Sequence, residues 1–598
     1  MKKDYGTGVF RATVILLILL NFCLSGCASL PGIGERYTVT FDTGNILSDN
    51  ISVKVRSGKT IRNVPCISSS EIPQNEGYVV GPYFFKGWFE DAACTVKADF
   101  TQPVTADRTF YALWTGREGK LYFRQTGDGV VITHTMSSFL DLESYEIPKT
   151  INSKPIIGLE KKVFEKCKKL KAITIPDSVQ FIGESAFKEC RNLEKIQLPA
   201  NLRSIEDNTF KWCEKLRDVQ LPAGLITVGE DAFYRCKNIG KISLPEGLET
   251  IGISAFSHCG NIGEISFPES LKTVGEAAFK GCALTVKDGI LPAGVENWGR
   301  AVFYGCKLLD TITFPDNMKV IPAAFLGGCE SLRTVTLPSG LKKIEEDAFV
   351  LCKKLSGIDI PDTVTSIGAG AFSSCYALQD VELPPQLKTI AKRSFSATPL
   401  TEITIPDTVT IIGSSAFSAC IKLRAIDLPN NLKGIGDAAF AKCTSLTQVT
   451  IPESCILIGR SAFQDCTSLT KIVFAGSYPG INEYGFAGCT SLKEIRFPAE
   501  GKGFGGGAFL GCKKLKHIYI AQNPAPPAYD IRSLKAQQAL KGSTHTLGQP
   551  ADAEEKEIDT KQTFKDIHPD AVLHYPAGAE GYDISPWIDI PNRVEEKL

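Results

Sequence analysis

The chain has 598 residues, in which 66 Lys and Arg balance 66 Asp and Glu, so the formal net charge is zero. This balance leaves no basic excess for nucleic acid, and we expect no nucleic-acid partner. The chain is longer than one compact core normally becomes, which favours several domains or a repeat array. No apolar run of about 18 residues occurs, so no transmembrane helix is predicted.

The amino terminus has the layout of an export signal. Basic residues precede the apolar stretch Val14 to Leu20, which leads into Leu24-Ser25-Gly26-Cys27. These four residues resemble the lipobox of bacterial lipoproteins. The resemblance implies that residues 1–26 are a signal peptide and that the sulfur of Cys27 carries a diacylglycerol, which anchors the exported protein to a membrane. An ordinary signal peptide with an incidental cysteine is the alternative.

Residues 27–36 are predicted to be a short tether, and residues 37–116 a β-rich module. Alternating apolar residues predict strands at Tyr37 to Asp42 and Ile51 to Val55. Together with Gly77-Tyr78, Phe85 to Phe89 and Asp107 to Trp114, they resemble the Listeria-Bacteroides repeat, also called the internalin B-repeat. The resemblance implies a small β-grasp-like domain that acts as a spacer or a weak adhesive module. Whether its two cysteines, Cys66 and Cys94, form a disulfide stays open.

Residues 117–144 are predicted to cap a repeat array at residues 145–520. In the array, a phenylalanine that is followed three residues later by a cysteine recurs at nearly every 23rd position. A 23-residue segment cannot enclose a core, so the copies must stack and bury their apolar faces against each other. Pairs such as Phe187 and Cys190, Phe210 and Cys213, and Phe233 and Cys236 are therefore predicted to form structural ladders. Sixteen coils are counted by their phenylalanines: Phe164, Phe187, Phe210, Phe233, Phe256, Phe279, Phe303, Phe325, Phe349, Phe372, Phe395, Phe417, Phe440, Phe463, Phe486 and Phe509.

One copy shows how a coil is built. Ile196 and Leu198 alternate as in a strand with one face inward, and Pro199 ends the strand because proline cannot donate to a ladder. In the segment from Ile182 to Cys190, the apolar residues share one face of a helical turn or two. Both sides of the coil are thus predicted to point apolar residues inward.

The repeated pattern Leu-x-x-Ile-x-Leu-Pro, followed by Ile-Gly-x-x-Ala-Phe-x-x-Cys, resembles the leucine-rich repeats of the Treponema and BspA-like class. The resemblance implies a right-handed, curved solenoid with strands on its concave face, carried by surface or envelope proteins that bind other macromolecules. The predicted fold class is a β-rich α/β solenoid of about sixteen 23-residue coils, preceded by the small β-grasp-like domain. Beyond it, residues 521–563 are predicted to be a flexible linker or loop, and residues 564–598 a carboxy-terminal cap.

Fifteen of the 20 cysteines occupy the same position in the coil. Stacked side chains point in one direction rather than at each other, so packed free thiols are favoured over disulfides. No His or carboxylate recurs beside them, and we expect neither a metal nor a cofactor. Three coils break the register, at Trp298, Phe325 and Thr398. Such coils are expected to bend or bulge, through drift or as tuned contact sites.

Function is expected on the outward positions of the strands. Five carboxylates there form what we call the acidic patch, which could meet a basic partner surface: Asp359, Asp380, Glu382, Glu402 and Asp427. Tyr519 further along is predicted to be an exposed aromatic anchor. A merely solvated polar face is the alternative reading of the patch.

These features favour a non-enzymatic, lipid-anchored envelope or surface protein that displays its solenoid for adhesion to an extracellular protein or glycan. The alternative is a structural envelope scaffold without a foreign ligand. An enzyme such as a glycan hydrolase would need paired carboxylates in a cleft. Asp380 and Glu382 come nearest to such a pair, but they are predicted to lie on an open surface.

Overall fold

The computed structural model describes residues 36–43, 50–61, 79–80, 83–217, 219–522, 562–583, 587 and 590–596. The chain forms two compact units, Met1–Leu248 and Glu249–Leu598. Cys27, Cys66 and nearly all of the predicted loop at 521–563 lie outside the described residues. Within the described ranges, no helix has the length and apolar character needed to cross a bilayer.

The first unit consists of short strands and one 3₁₀ helix, Ser137–Asp141. Its strands are β1 Arg36–Asp42, β2 Ile51–Arg56, β3 Val79–Val80, β4 Tyr83–Phe89, β5 Arg108–Glu118, β6 Leu121–Gln125, β7 Val130–Thr135, β8 Ser144–Glu146, β9 Thr150–Ile151, β10 Lys154–Leu159, β11 Ala172–Thr174, β12 Phe181–Ile182, β13 Lys195–Gln197, β14 Ser204–Ile205 and β15 Thr227–Val228.

The amino-terminal module has its own aromatic core. Phe41 on β1 packs edge-on against Trp88 at 4.9 Å and stacks on Phe110 at 5.5 Å between ring centroids. The buried indole of Trp114 donates a hydrogen bond to the carbonyl oxygen of Thr43, at 3.0 Å. One sheet continues from β1 through β5, β6, β7 and β10 to β12, so the module and the first coils share a single sheet. The predicted boundary at residue 116 falls inside β5.

The second unit adds one 3₁₀ helix, Lys287–Gly289, and 21 strands. They are β16 Thr250–Ile251, β17 Gly263–Ile265, β18 Thr273–Val274, β19 Leu284–Val286, β20 Asn297–Trp298, β21 Thr311–Thr313, β22 Val320–Ile321, β23 Thr334–Thr336, β24 Lys343–Ile344, β25 Ser366–Ile367, β26 Thr389–Ile390, β27 Ile411–Ile412, β28 Gly434–Ile435, β29 Gln448–Ile451, β30 Leu457–Ile458, β31 Lys471–Phe474, β32 Gly480–Ile481, β33 Glu494–Phe497, β34 His517–Ile520, β35 Val572–Pro576 and β36 Asn592–Glu596.

The coils form two parallel ladders, and the described residues 337–447 contain no strand of the first ladder. The first ladder is formed by the strand before the proline, as in β29 paired with β31 and β33 paired with β34. The second ladder is formed by the two residues before the Ile-Gly glycine, as in β26, β27, β28, β30 and β32. The sequence predicts the first ladder but not the second, because two residues are too few to show an alternating pattern.

The segment from Ile182 to Cys190 is a chain of turns, not the predicted helical turns. Ser185 and Glu189 adopt left-handed backbone conformations, with φ of 59° and 60°, and such residues end an α-helix. Successive N–H groups alternate in direction. That of Phe187 donates to Thr209 in the next coil, while that of Cys190 donates back to Phe187. These turns therefore hydrogen-bond neighbouring coils as a sheet does, and the predicted inward side chains are buried.

The phenylalanines stack ring on ring inside both units. In the first unit, Phe187, Phe210 and Phe233 follow one another at 5.5 and 5.2 Å between ring centroids, with interplanar angles of 8° and 17°. In the second, Phe463 and Phe486 stack at 5.0 Å and 3°. Because every ring is buried, the stack is core.

The cysteines form a second buried ladder beside the phenylalanines. Most of these thiols donate to the carbonyl oxygen of the phenylalanine one coil earlier: the Sγ of Cys190, Cys213 and Cys236 lie 3.0, 3.2 and 3.2 Å from the oxygens of Phe164, Phe187 and Phe210. A thiol is small, apolar and a weak donor, so it fills this site and satisfies a buried carbonyl. The sequence does not reveal this bond.

At Phe325, where the repeat spacing is irregular, a neighbouring residue takes the position that phenylalanine has in the other coils. Leu326, not Phe325, takes the ladder position, since its N–H bonds the oxygen of Ala348 and its own oxygen accepts the thiol of Cys352 at 3.3 Å. This coil is therefore still one of the sixteen counted, but its rung is Leu326 and not Phe325. Phe325 fills the neighbouring alanine position and meets Phe303 edge-on, at 83°. A leucine in the ladder leaves the room that this second ring needs.

The core also stays continuous at the other two irregular coils, which contain Thr398 and Trp298. Thr398 replaces a cysteine, and its hydroxyl donates to the oxygen of Phe395 at 2.8 Å while it contacts the thiol of Cys420 at 3.3 Å. The additional residue between Cys282 and Cys306 is accommodated while Phe279 and Phe303 still stack at 5.9 Å. The predicted bends do not interrupt the rungs at these coils.

The carboxy-terminal segment extends both the ladders and the stack. β35 pairs in parallel with β34, and β36 pairs in parallel with β35. Phe564 stacks on Phe509 at 5.4 Å and 3°, which adds one more aromatic rung. Trp587, which is 1% exposed, packs against Phe564 at 5.5 Å and covers the end of the core.

Candidate functional site

The outer side of the first ladder carries the candidate site. In each coil, one apolar residue of the strand points inward and the two residues beside it point out, as with buried Val381 between exposed Asp380 and Glu382. The inward residues are nearly uniform, because each must fit the same core. The outward pair is not constrained by the core and can vary, so we look for a ligand-binding surface among these residues.

All five carboxylates of the acidic patch are exposed and lie on four successive coils. Asp380 and Glu402 precede buried residues of adjacent coils, and Asp359 and Glu382 follow such residues. These segments are not strands, but Asp427 lies opposite Thr404 in an isolated parallel bridge. Like charges therefore occupy equivalent places on adjacent coils.

None of the five carboxylates forms an ion pair within the described part of the chain. Like charges on adjacent coils repel each other. This arrangement therefore costs some stability and leaves the negative charge available to solvent or to a partner. Asp380 and Glu382 are exposed and lie two residues apart on one segment of a coil, whereas the paired carboxylates of a glycoside hydrolase flank the scissile bond.

The charge changes sign further along the ladder. Lys471 and Arg496 are exposed on outward positions of β31 and β33. Arg496 lies over the ring of Tyr519, with its guanidinium carbon 3.8 Å from the ring centroid. The predicted anchor Tyr519 is thus partly covered and is not the open aromatic that the sequence suggested.

The other side of Tyr519 is occupied by His574. The two rings stack at 4.3 Å between centroids, and the imidazole is held by Glu596 and by His517, whose Nδ1 is 3.3 Å from the Nε2 of His574. We call Arg496, Tyr519 and His574 the cation–aromatic stack. Sequence reasoning missed it because β34 and β35 are separated by about fifty residues in the chain, and only the fold makes them neighbours.

Most thiols of the ladder are made poorly reactive by their burial. Burial raises the pKa of Cys375 to about 12 and that of Cys420 to about 11, so these groups stay protonated near neutral pH. A protonated thiol is neither a nucleophile nor a metal ligand. Across the described ranges, no three His, Cys, Asp or Glu side chains come together as a metal site would require.

Cys94 in the module is also a buried thiol. Desolvation raises its pKa to about 11, and its Sγ lies 3.7 Å from the carbonyl oxygen of Ala92. Its possible partner Cys66 is outside the described residues, so the disulfide stays open.

Comparison with known proteins agrees with the repeat pattern. Residues 157–285, 296–424 and 410–525 match the family described as BspA type leucine rich repeat region. Residues 37–113 match the Listeria-Bacteroides repeat domain. No curated protein matches the chain.

Three solved structures illustrate the likeness. A leucine-rich repeat protein from Bacteroides ovatus is 22% identical over 80% of this chain and 99% of its own, with a TM-score of 0.43. A leucine rich cell surface protein from Faecalibacterium prausnitzii is 28% identical over 61% of this chain and 95% of its own, with a TM-score of 0.42. A leucine rich repeat protein of T. pallidum is 23% identical over 44% and 89%, with a TM-score of 0.22.

Leucine-rich repeat proteins of this type are found at the cell surface, are typically not enzymes, and generally bind proteins or other ligands. The matched residues cover more than half of the sequence, and the same residues form the stacked coils. This chain belongs to the BspA-type leucine-rich repeat family.

Proposed function

We propose that this protein is a lipid-anchored adhesin of the bacterial cell envelope, which uses the outer side of its first ladder to bind an extracellular protein or glycan. Cys27 carries the lipid in this proposal, since it follows Leu24-Ser25-Gly26 at the end of an export signal. The anchor holds the chain at a membrane, and the coils present the binding surface.

One observation carries the proposal: the interior repeats from coil to coil while the outward residues do not. Phenylalanine and thiol rungs return with the same contacts. Outward positions instead change from the acidic patch to Lys471 and Arg496. A purely structural surface has no need to gather like charges on adjacent coils, because their repulsion lowers stability. A ligand with a basic surface would offset that cost.

The binding surface is tested by charge reversal in the whole chain. A variant with Asp359, Asp380, Glu382, Glu402 and Asp427 all changed to Lys is screened against extracellular matrix proteins and glycans beside the natural protein. We expect the on-rate for a basic partner to fall by at least about tenfold and its salt dependence to disappear. Glu346→Lys, an exposed carboxylate on the turn side of a coil, is the matched control. If the patch variant and the control bind equally, the acidic patch is not the site.

A structural scaffold inside the envelope is the competing function. It differs from an adhesin in whether the coils are accessible from outside the cell. Protease added to intact cells should cleave an adhesin, and complete protection of the repeats would favour the scaffold. Replacement of Cys27 by Ser should release the protein from the membrane fraction if this cysteine carries the lipid.

A further inference from the structure

The amino-terminal module has a groove of its own, on the outer face of β4, β5, β6 and β7. Its volume is about 460 Å³, within the range of roughly 300–1,000 Å³ that small-ligand sites occupy. We call it the module groove. Its lining residues are Phe84, Lys86, Thr115, Gly116, Arg117, Tyr122, Phe123, Thr133 and His134.

The strand register explains why these side chains meet. Phe84 pairs with Thr115, Arg117 pairs with Tyr122, and Tyr122 pairs with His134 across successive strands. The pairing shifts register between Phe85 and Gly87, and again between Tyr122 and Phe123. Bulges of this kind bend a sheet locally, and here two of them on nearby strands produce a hollow in an otherwise regular surface.

Aromatic rings form both walls of the hollow. Phe84 is 45% exposed, although it is a large apolar side chain. Opposite it, the rings of Tyr122 and His134 stack at 4.1 Å between centroids and 11°, and the Nδ1 of His134 is 3.1 Å from the hydroxyl of Thr133. Exposed aromatic surface at the edge of a groove commonly marks a binding site.

The charge of the groove is positive. Lys86 and Arg117 line it, and no carboxylate is among its described lining residues. Neither cation forms an ion pair with a described residue, whereas nearby Arg124 is paired with Glu160 at 3.1 Å. Arg117 contacts only the Sδ of Met136, at 3.5 Å. Two available cations between aromatic walls fit a ligand that combines anionic groups with apolar faces.

We propose that the module groove binds an acidic polysaccharide, in which carboxylate or sulfate groups meet Lys86 and Arg117 while sugar rings lie on Phe84 and Tyr122. A pyranose has an apolar face of C–H groups, which packs on aromatic rings as other apolar surfaces do. The groove is concave, so it fits a narrow chain better than a flat membrane. A free inorganic anion would have no use for the aromatic walls.

This site is separate from the first ladder and does not depend on the adhesive function proposed above. It gives the module a specific ligand, where the resemblance implied a spacer or a weak adhesive module. Reversal of the acidic patch should leave binding at the groove unchanged, so the two proposals can fail independently.

The test uses the whole chain, purified in mild detergent, and three hexasaccharides of different charge. Hyaluronan hexasaccharide carries carboxylates, a heparin-derived hexasaccharide adds sulfates, and chitohexaose is neutral. Isothermal titration should show binding of one or both acidic sugars and at least about tenfold weaker binding of chitohexaose. Binding to neither acidic sugar would overturn the proposal, as would equal binding of all three.

Variants then locate the site. Lys86→Gln, Arg117→Gln and Phe84→Ala should each weaken binding of the acidic sugar about tenfold or more. Lys54→Gln removes an exposed cation on β2, outside the groove, and should change nothing. An equal loss in Lys54→Gln would mean that binding follows overall charge and not this groove. Circular dichroism should be unchanged in every variant, since the substituted side chains are exposed.

Discussion

The coils from Phe349 to Phe509 and the coil around Phe325 solve the same packing problem in different ways. In the regular stretch, rings stack nearly parallel, as Phe349 and Phe372 do at 5.3 Å and 1°. At the irregular coil, Phe325 stands edge-on to Phe303 and to Trp298, at 83° and 82°. Both arrangements bury every phenylalanine ring. The comparison teaches that each layer stays filled, while the residue that fills it changes.

The largest expected effect concerns the thiols that the regular stretch repeats. Burial raises their pKa from the ordinary value of 9.0, to about 12 for Cys375 and Cys466. A thiol with a raised pKa stays protonated in the folded state after the unfolded chain has ionised, so folding stability falls as pH rises above about 9. Because many coils carry such a thiol, we expect steep alkaline unfolding between pH 9 and 12, measured by circular dichroism.

The coil with Thr398 supplies the control for this effect. Its hydroxyl replaces a thiol at the same place, and it does not titrate in this range. Changing Cys443 and Cys466 to Thr should therefore make the alkaline transition less steep. A transition with unchanged steepness would show that other groups cause it.

Removal of a ring from the regular stack should have the next largest effect. Phe417 is fully buried between Phe395 and Phe440, at 5.7 and 5.4 Å. Phe417→Ala should lower the free energy of unfolding by about 3–5 kcal/mol, because it leaves a cavity with rings on both sides. Urea denaturation measures this loss. Ile421→Ala in the same coil, at a side chain that is 56% exposed, should change stability by less than about 0.5 kcal/mol.

Phenylalanine occupies the ladder position in the regular coils, but at the same position of the irregular coil it should lower stability. Leu326→Phe places a ring where Phe325 already fills the space, so we expect a loss of about 1–3 kcal/mol from overpacking. Leu326→Met is the control, because it conserves volume and should lower the free energy of unfolding by less than about 1.5 kcal/mol. If Leu326→Phe raises the denaturation midpoint, the ladder position of this coil has room for a ring, and Phe325 does not fill the space that a ring at 326 would need.

The smallest expected effect is at Trp298, beside the same fault. Its indole Nε1 is buried and has no hydrogen-bond partner among the described residues, which costs about 1–3 kcal/mol in general. Trp298→Phe removes that donor and keeps a ring against Phe325. We expect the gain and the lost packing to cancel to within about 1 kcal/mol in urea denaturation. A loss above about 3 kcal/mol would mean that the indole is satisfied in solution.

Local periodicity allowed much of the architecture to be predicted. The 23-residue spacing and the alternation around Ile196 were enough to predict stacked coils and the first ladder. The left-handed residues of the turn segment could not be predicted, because Ser185 and Glu189 are not residue types that require positive φ. They adopt it so that alternate N–H groups can reach the next coil, which is a property of the stack and not of the segment.

The candidate site, too, could be predicted only in part from the sequence. Alternation within each strand identified Asp380 and Glu382 as outward residues, and both are exposed. Tyr519 was also placed outward, but its partners Arg496 and His574 come from neighbouring strands, one of them far away in sequence. The aromatic walls of the module groove depend on two bulges, which an alternating pattern does not reveal.

By itself, the sequence determined that this chain is an array of coils, which residues of each coil point inward, and which family the array belongs to. These follow from short-range spacing, since each copy is too small to have an interior alone. The tertiary structure decided which side chains from different coils and strands meet: the thiol with the carbonyl of the coil before, Phe325 with Trp298, and the rings of the module groove. Such contacts depend on strand register and local twist, which no single repeat encodes.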